Sequence, residues 1–177
     1  MSPATTSFET APVSADEDRD ERLAKLRELI ESIAICMVTT TGADGSIHSR
    51  PMAYLEMEPS GRLLFLTRVG SAKVDEVRRN RHVNLNFSDP AKNLFVSVSG
   101  DARVVYDRDR IASLFTPIMK NWFPGGVDDP ALRLLIVEPW SAEYWNGPSG
   151  LTFLFRVAKS FITGTPADLG EHELLEL

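Results

Sequence analysis

Phe65-Leu66-Thr67-Arg68-Val69-Gly70-Ser71-Ala72-Lys73 is the stretch on which the reading of this chain turns. An apolar run closes at Thr67, Gly70 permits a sharp turn, and Ser71 stands where it can cap a short helix whose Val74 and Val77 face inward. Backbone N–H groups at a helix start have no intrahelical acceptor and favour an anion. Thr67 and Ser71 add hydroxyls, Lys73 adds a point charge, and Arg68 can add a second. The same residues also describe an ordinary capped helix with a solvated lysine. The stretch taken alone leaves both readings open.

A second stretch lies upstream, His48-Ser49-Arg50-Pro51-Met52, inside a run that reads as a strand. Pro51 cannot donate to a sheet ladder, which suggests an edge or a locally opened sheet. Arg50 would be costly in a core without an anion. If the two strands are neighbours, Arg50 can lie near the helix start, and two basic side chains then converge on it. The alternative is a surface arginine on an edge strand.

Around these stretches the chain reads as short strands joined by tight turns. Ala34–Thr41, Ser46–Met57 and Arg62–Thr67 form a plausible antiparallel meander, with turns at Gly42-Ala43-Asp44-Gly45 and Pro59-Ser60-Gly61. Val83–Phe87, Leu94–Tyr106 and Leu132–Val137 complete six strands. Gly100 is expected to mark a bulge or bend. Leu23, Leu26, Ile30 and Ile33 recur at helical spacing after a run of acids. Asp107 can cap a helix carrying Ile111, Leu114, Phe115 and Ile118, and Leu151–Ala158 suggests a last helix stopped near Gly164-Thr165-Pro166. The links are too short for regular parallel crossovers, so the expected fold is mainly β: a small antiparallel barrel with helices packed outside. Residues 1–17 read as a disordered tail, 18–165 as one domain and 166–177 as a C-terminal tail.

Bulk properties exclude several classes. The 177 residues suit one domain, and a net charge of -6 with mixed signs argues against a general nucleic-acid binder. One cysteine, Cys36, excludes an intrachain disulfide. With no basic and apolar leader in residues 1–20, it points to the cytoplasm. No apolar run is long enough to span a membrane. The histidines His48, His82 and His172 are scattered, so no metal site is expected.

In their order and spacing, Ser49-Arg50-Pro51-Met52 and Leu66–Lys73 resemble the flavin site of the pyridoxamine 5'-phosphate oxidase-like split barrels. The general stress protein branch is the nearer match. It also shares Asn80-Arg81-His82-Val83-Asn84-Leu85, Val98-Ser99-Gly100-Asp101-Ala102, Trp122-Phe123-Pro124-Gly125-Gly126 and Glu143-Tyr144-Trp145. The resemblance covers roughly residues 20–165 and implies a six-stranded antiparallel split β-barrel with flanking helices. It further implies a homodimer with FMN, or FAD, held noncovalently between subunits. It assigns Arg50, Ser71 and Lys73 to the flavin phosphate. Pro51, Met52, Leu66 and Thr67 would run beside the ring and ribityl chain, and Asn93 and Trp145 of the partner would complete the pocket.

Two departures narrow the activity. The oxidases carry Arg-Lys after the serine, where this chain has Ala72-Lys73, and they carry an arginine-rich C-terminal motif, where this chain ends Gly170-Glu171-His172-Glu173-Leu174-Leu175-Glu176-Leu177. A vitamer oxidase is therefore not expected. What remains is a flavin-dependent oxidoreductase or flavin reductase drawing on a nicotinamide cofactor, with no catalytic side chain named. The alternatives are a flavin-binding stress protein without turnover, or a relative that binds deazaflavin F420 or haem, for which His48 is the one plausible axial ligand.

Overall fold

A computed structural model describes residues 15–148, 152, 159 and 170–177. Helix α1 (Ala15–Ile30) opens the described chain. It begins inside the stretch expected as a tail, because Asp16, Glu17 and Asp18 occupy its first turn, where acidic side chains favour the helix dipole. Ile33 is buried but lies past the end of the helix. The strands are β1 (Ile35–Thr41), β2 (Ile47–Ala53), β3 (Glu56–Met57), β4 (Leu63–Arg68), β5 (His82–Asp89), β6 (Leu94–Val105), β7 (Leu132–Asn146) and β8 (Glu171–Glu176). Helices α2 (Ala72–Arg79) and α3 (Arg108–Leu114) separate some of them. The helix expected over Leu151–Ala158 falls almost wholly outside the described residues, although Thr152 is helical.

All strand pairs are antiparallel, in the order β2-β1-β5-β6-β7-β4-β3, with β8 added to β7. The mainly β split barrel expected from sequence is borne out, with eight strands among the described residues rather than six. One extra strand comes from a break in the long run expected over Ser46–Met57. There Tyr54 N–H donates to Ala34 C=O, at the β1 edge, and the next residue, Leu55, donates to Leu64 C=O, at the β4 edge. Two successive residues thus bond to opposite ends of the sheet, which must curl for both bonds to form. Tyr54 fills the closure, lying edge-on to Phe87 and tilted against Phe65.

The other extra strand, β8, lies within the expected C-terminal tail. The expected sixth strand also runs nine residues further, to Asn146. Pro139 reads as an interruption, but it sits opposite Gly100 at a bulge in the β6–β7 ladder, where a missing N–H is tolerated. Gly100 is required there by close approach: a Cβ would fall 2.6 Å from the Glu138 carbonyl oxygen.

Two cores result. Leu23, Leu26 and Ile30 of α1 pack inside the curl with Val38, Leu63, Phe65, Leu85, Phe87, Val98 and Val137. Leu64, Leu66, Leu134 and Ile136 point the other way and are covered by Ile111 of α3. β4 is therefore buried on both faces, which accounts for its unbroken apolar sequence.

Candidate functional site

Strand β4 ends at Arg68, and Gly70, at φ +81°, turns the chain into α2. That left-handed conformation is one glycine adopts at little cost. The cap differs from expectation. Ser71 occupies the N-cap position but makes no side-chain cap bond. Its hydroxyl donates backwards to the Arg68 carbonyl at 2.9 Å, with Thr67 Oγ1 3.4 Å away. The N–H groups of Ala72 and Lys73 therefore keep no acceptor among the described residues.

Arg50 lies on β2, opposite Val38 in the register. It is not the surface arginine of the alternative reading. Its Nη1 donates to Thr40 Oγ1 at 2.7 Å and its Nη2 to Glu76 Oε2 at 2.8 Å. Thr40 donates to the same Glu76 oxygen at 2.5 Å, and His48 Nδ1 meets Oε1 at 2.7 Å. Glu76, on α2, is 5% exposed. Burial alone would raise its pKa, but hydrogen bonds from Thr40, His48 and Arg50, and the Arg50 charge, bring it down to about 2. The ionised carboxylate can only accept, so the His48 proton sits on Nδ1. The other ring nitrogen is 3.2 Å from Ser46 Oγ. With both nitrogens engaged, His48 is poorly placed as a haem ligand.

Lys73 has no ion-pair partner among the described residues. Partial burial, then repulsion from Arg50, lowers its pKa, while Glu76 opposes the shift. A half-buried cation beside a second cation, at a helix start with open N–H groups, is an environment that an anion would relieve. Arg68 does not join it, being paired with Asp129 at 3.2 Å.

The remaining candidates fall elsewhere. Pro51 is exposed on the outer face of β2, while Met52 and Leu66 point into the two separate cores. Thr67 is 2% exposed at the end of β4. Asn93 adopts φ +52° in the β5–β6 turn and reaches the Pro148 carbonyl. Trp145 lies on the outer face of β7, stacked on His172 at 5.0 Å. Thr67 pairs with Arg133 near the start of β7, whereas Trp145 lies near the end of that strand, twelve residues later. Within one chain, then, Arg50 and Lys73 influence each other and Thr67 meets Ser71 at the start of α2, while Trp145 and Asn93 lie toward the far end of β7.

Glu76 was missed from sequence, where an acid beside Asp75 on a short helix looks solvated. The signal available was Arg50 itself, whose partial burial called for an anion. A cavity of about 760 Å³ between α1 and β8 is remote from the cluster and lined by Asp18, Glu21, Glu171 and Glu173 among others.

Comparison with known proteins places these features in a wider group. Residues 21–168 match the family described as pyridoxamine 5'-phosphate oxidase like. Protein bli-3 of Neurospora crassa is 29% identical, over 93% of this chain and 84% of its own. The general stress FMN/FAD binding protein of Xanthomonas citri is 31% identical, with TM-score 0.63, over 74% of this chain and 92% of that one. General stress protein 26 of Bacillus anthracis shares the fold at 18% identity and TM-score 0.63, over 89% and 98%.

Proposed function

The chain belongs to the pyridoxamine 5'-phosphate oxidase-like family, and on that premise we propose that it is a flavin-dependent oxidoreductase that holds FMN at the interface of a homodimer. The observation that carries the proposal is the anion-seeking helix start, where among the described residues Lys73 has no ion-pair partner and the N–H groups of Ala72 and Lys73 have no acceptor. A phosphate monoester fits this donor set: a point charge, two backbone donors and the free edge of the Arg50 guanidinium. Bound there, FMN supplies the hydride chemistry.

The protein residues bind and orient. Lys73, Arg50 and the α2 N-terminus hold the phosphate. Thr67 and the β4 backbone border the ribityl chain, and Pro51 presents the outer edge of β2. Met52 and Leu66, with side chains committed to the cores, offer backbone groups only. A second copy would supply an aromatic wall through Trp145, with Asn93 beside it. The outer face of the sheet favours such a copy. Ile35, Met37, Phe95, Trp145 and Leu174 are each at least 38% exposed there, around a polar patch in which Asn84 donates to Ser97 and Ser99. Apolar residues around a hydrogen-bonded patch suit an interface between copies.

The test is a visible spectrum and a flavin titration of the purified chain, with mass measured by light scattering. The expected result is one FMN per chain in a dimer that oxidises a nicotinamide cofactor. Tight FMN with no turnover would make it a flavin-binding stress protein instead. Failure to bind flavin, or preference for deazaflavin F420 or haem, would overturn the reading.

A further inference from the structure

We propose that Glu76 is the positioning residue of the phosphate site: it holds the Arg50 guanidinium so that its unused N–H groups face the start of α2. This rests on the phosphate reading above and adds a residue to it. Glu76 carries no contact to a ligand of its own. Its Oε2 receives both Thr40 Oγ1 and Arg50 Nη2, while Arg50 Nη1 donates to the same Thr40 oxygen. The three groups close a triangle that ties one terminal nitrogen of Arg50 to the carboxylate and the other to the hydroxyl. Anchored through two different nitrogens, the planar fork cannot rotate. A guanidinium has five N–H donors, and these anchors occupy two.

The remaining donors matter because the second cation lies close by. Lys73 is repelled by Arg50 and attracted by Glu76, which places all three charges in one cluster around the helix start. Glu76 sits one turn beyond Lys73 on the same helix. A long arginine side chain loses considerable rotamer freedom when an anion immobilises it. Here that freedom is already lost in the free protein, so binding need not order the side chain again.

A competing role makes the opposite prediction. If Glu76 merely neutralised Arg50, removing its charge would strengthen the grip on phosphate. If it only supported the fold, removing it would weaken every flavin alike. The experiment therefore compares FMN with riboflavin, which lacks the phosphate, on wild type, Glu76→Gln and Thr40→Val, with melting temperatures as a check on folding. Thr40→Val keeps the carboxylate and removes the hydroxyl that anchors Nη1, so it tests the triangle even if Glu76→Gln folds poorly.

The expected result is a fall of about tenfold in the FMN-to-riboflavin affinity ratio for Glu76→Gln, the worth of one charge-assisted hydrogen bond. A smaller fall in the same direction is expected for Thr40→Val, with riboflavin affinity unchanged in both. An unchanged or raised ratio, or equal loss of both ligands, would overturn the assignment of Glu76. In that case a phosphate preference still lost on Lys73→Ala would leave the phosphate site standing. If wild type bound FMN no better than riboflavin, the phosphate site would fall and Glu76 with it.

Discussion

Replacing Lys73 with Ala should weaken FMN about tenfold and leave riboflavin unchanged. The magnitude follows from the site. A hydrogen bond to a charged group contributes about 1.5–3 kcal/mol. Lys73 is only half-buried, so solvent screening places its contribution near the lower figure, about 1.5 kcal/mol, or roughly tenfold in affinity. Ser71→Ala should matter much less. Its hydroxyl hydrogen is committed to the Arg68 carbonyl, so it can only accept from a protonated phosphate. About 0.5 kcal/mol, or roughly twofold, is the expected loss. Flavin fluorescence quenching, titrated with both ligands on both variants, reads the two ratios directly. Raising the salt should shrink the Lys73 effect, because the pair is partly exposed. If Lys73→Ala weakened FMN and riboflavin equally, or if Ser71→Ala outweighed it, the assignment of phosphate to this helix start would be wrong.

Other consequences concern stability and assembly. The Glu76 carboxyl is depressed from 4.5 to about 2 in the fold, so its stabilising contribution is fully present above the ordinary carboxylate range and is lost as pH falls toward 2. The melting-temperature gap between wild type and Glu76→Gln should accordingly be widest near neutrality and close in acid; a gap independent of pH would contradict the ion-pair account. Gly100→Ala places a Cβ 2.6 Å from the Glu138 carbonyl, and urea denaturation should register a loss of about 1–3 kcal/mol as the bulge shifts. Met37→Asp puts a charge on the outer sheet face between Pro51 and Asn86. Light scattering should then report the monomer mass, with FMN affinity falling in parallel, whereas an intact dimer would remove this face from the interface.

Much of the fold was legible because its cues are local. The alternation in β6, the Gly70 turn, the Asp107 cap accepting from Arg110 N–H and the Gly100 bulge each depend on residues within a turn or a strand of one another. The errors share a different origin. The break at Tyr54–Leu55 exists because two sheet edges meet there, and no residue nearby announces that meeting. β7 passes through Pro139 because β7 itself bulges there, with Trp140 unpaired against β6, so the regular ladder is already interrupted. β8, with polar side chains at most positions, reads as a tail, and its place in the sheet comes from pairing with β7.

The candidate site divides the same way. Sequence by itself determined that a strand would end in a glycine turn and a helix start carrying Ser71 and Lys73, and that a buried Arg50 would need an anion. Tertiary structure alone decided which anion answers it. Glu76 meets Arg50 because α2 folds back over β1 and β2, 26 positions away in the chain, and because Thr40 on β1 completes the triangle. Arg68, equally basic and closer in sequence to the helix start, is taken instead by Asp129. Local sequence specifies backbone direction and hydrogen-bonding capacity, since those depend on near neighbours. The pairing of charges depends on which distant segments the burial of apolar strands forces together.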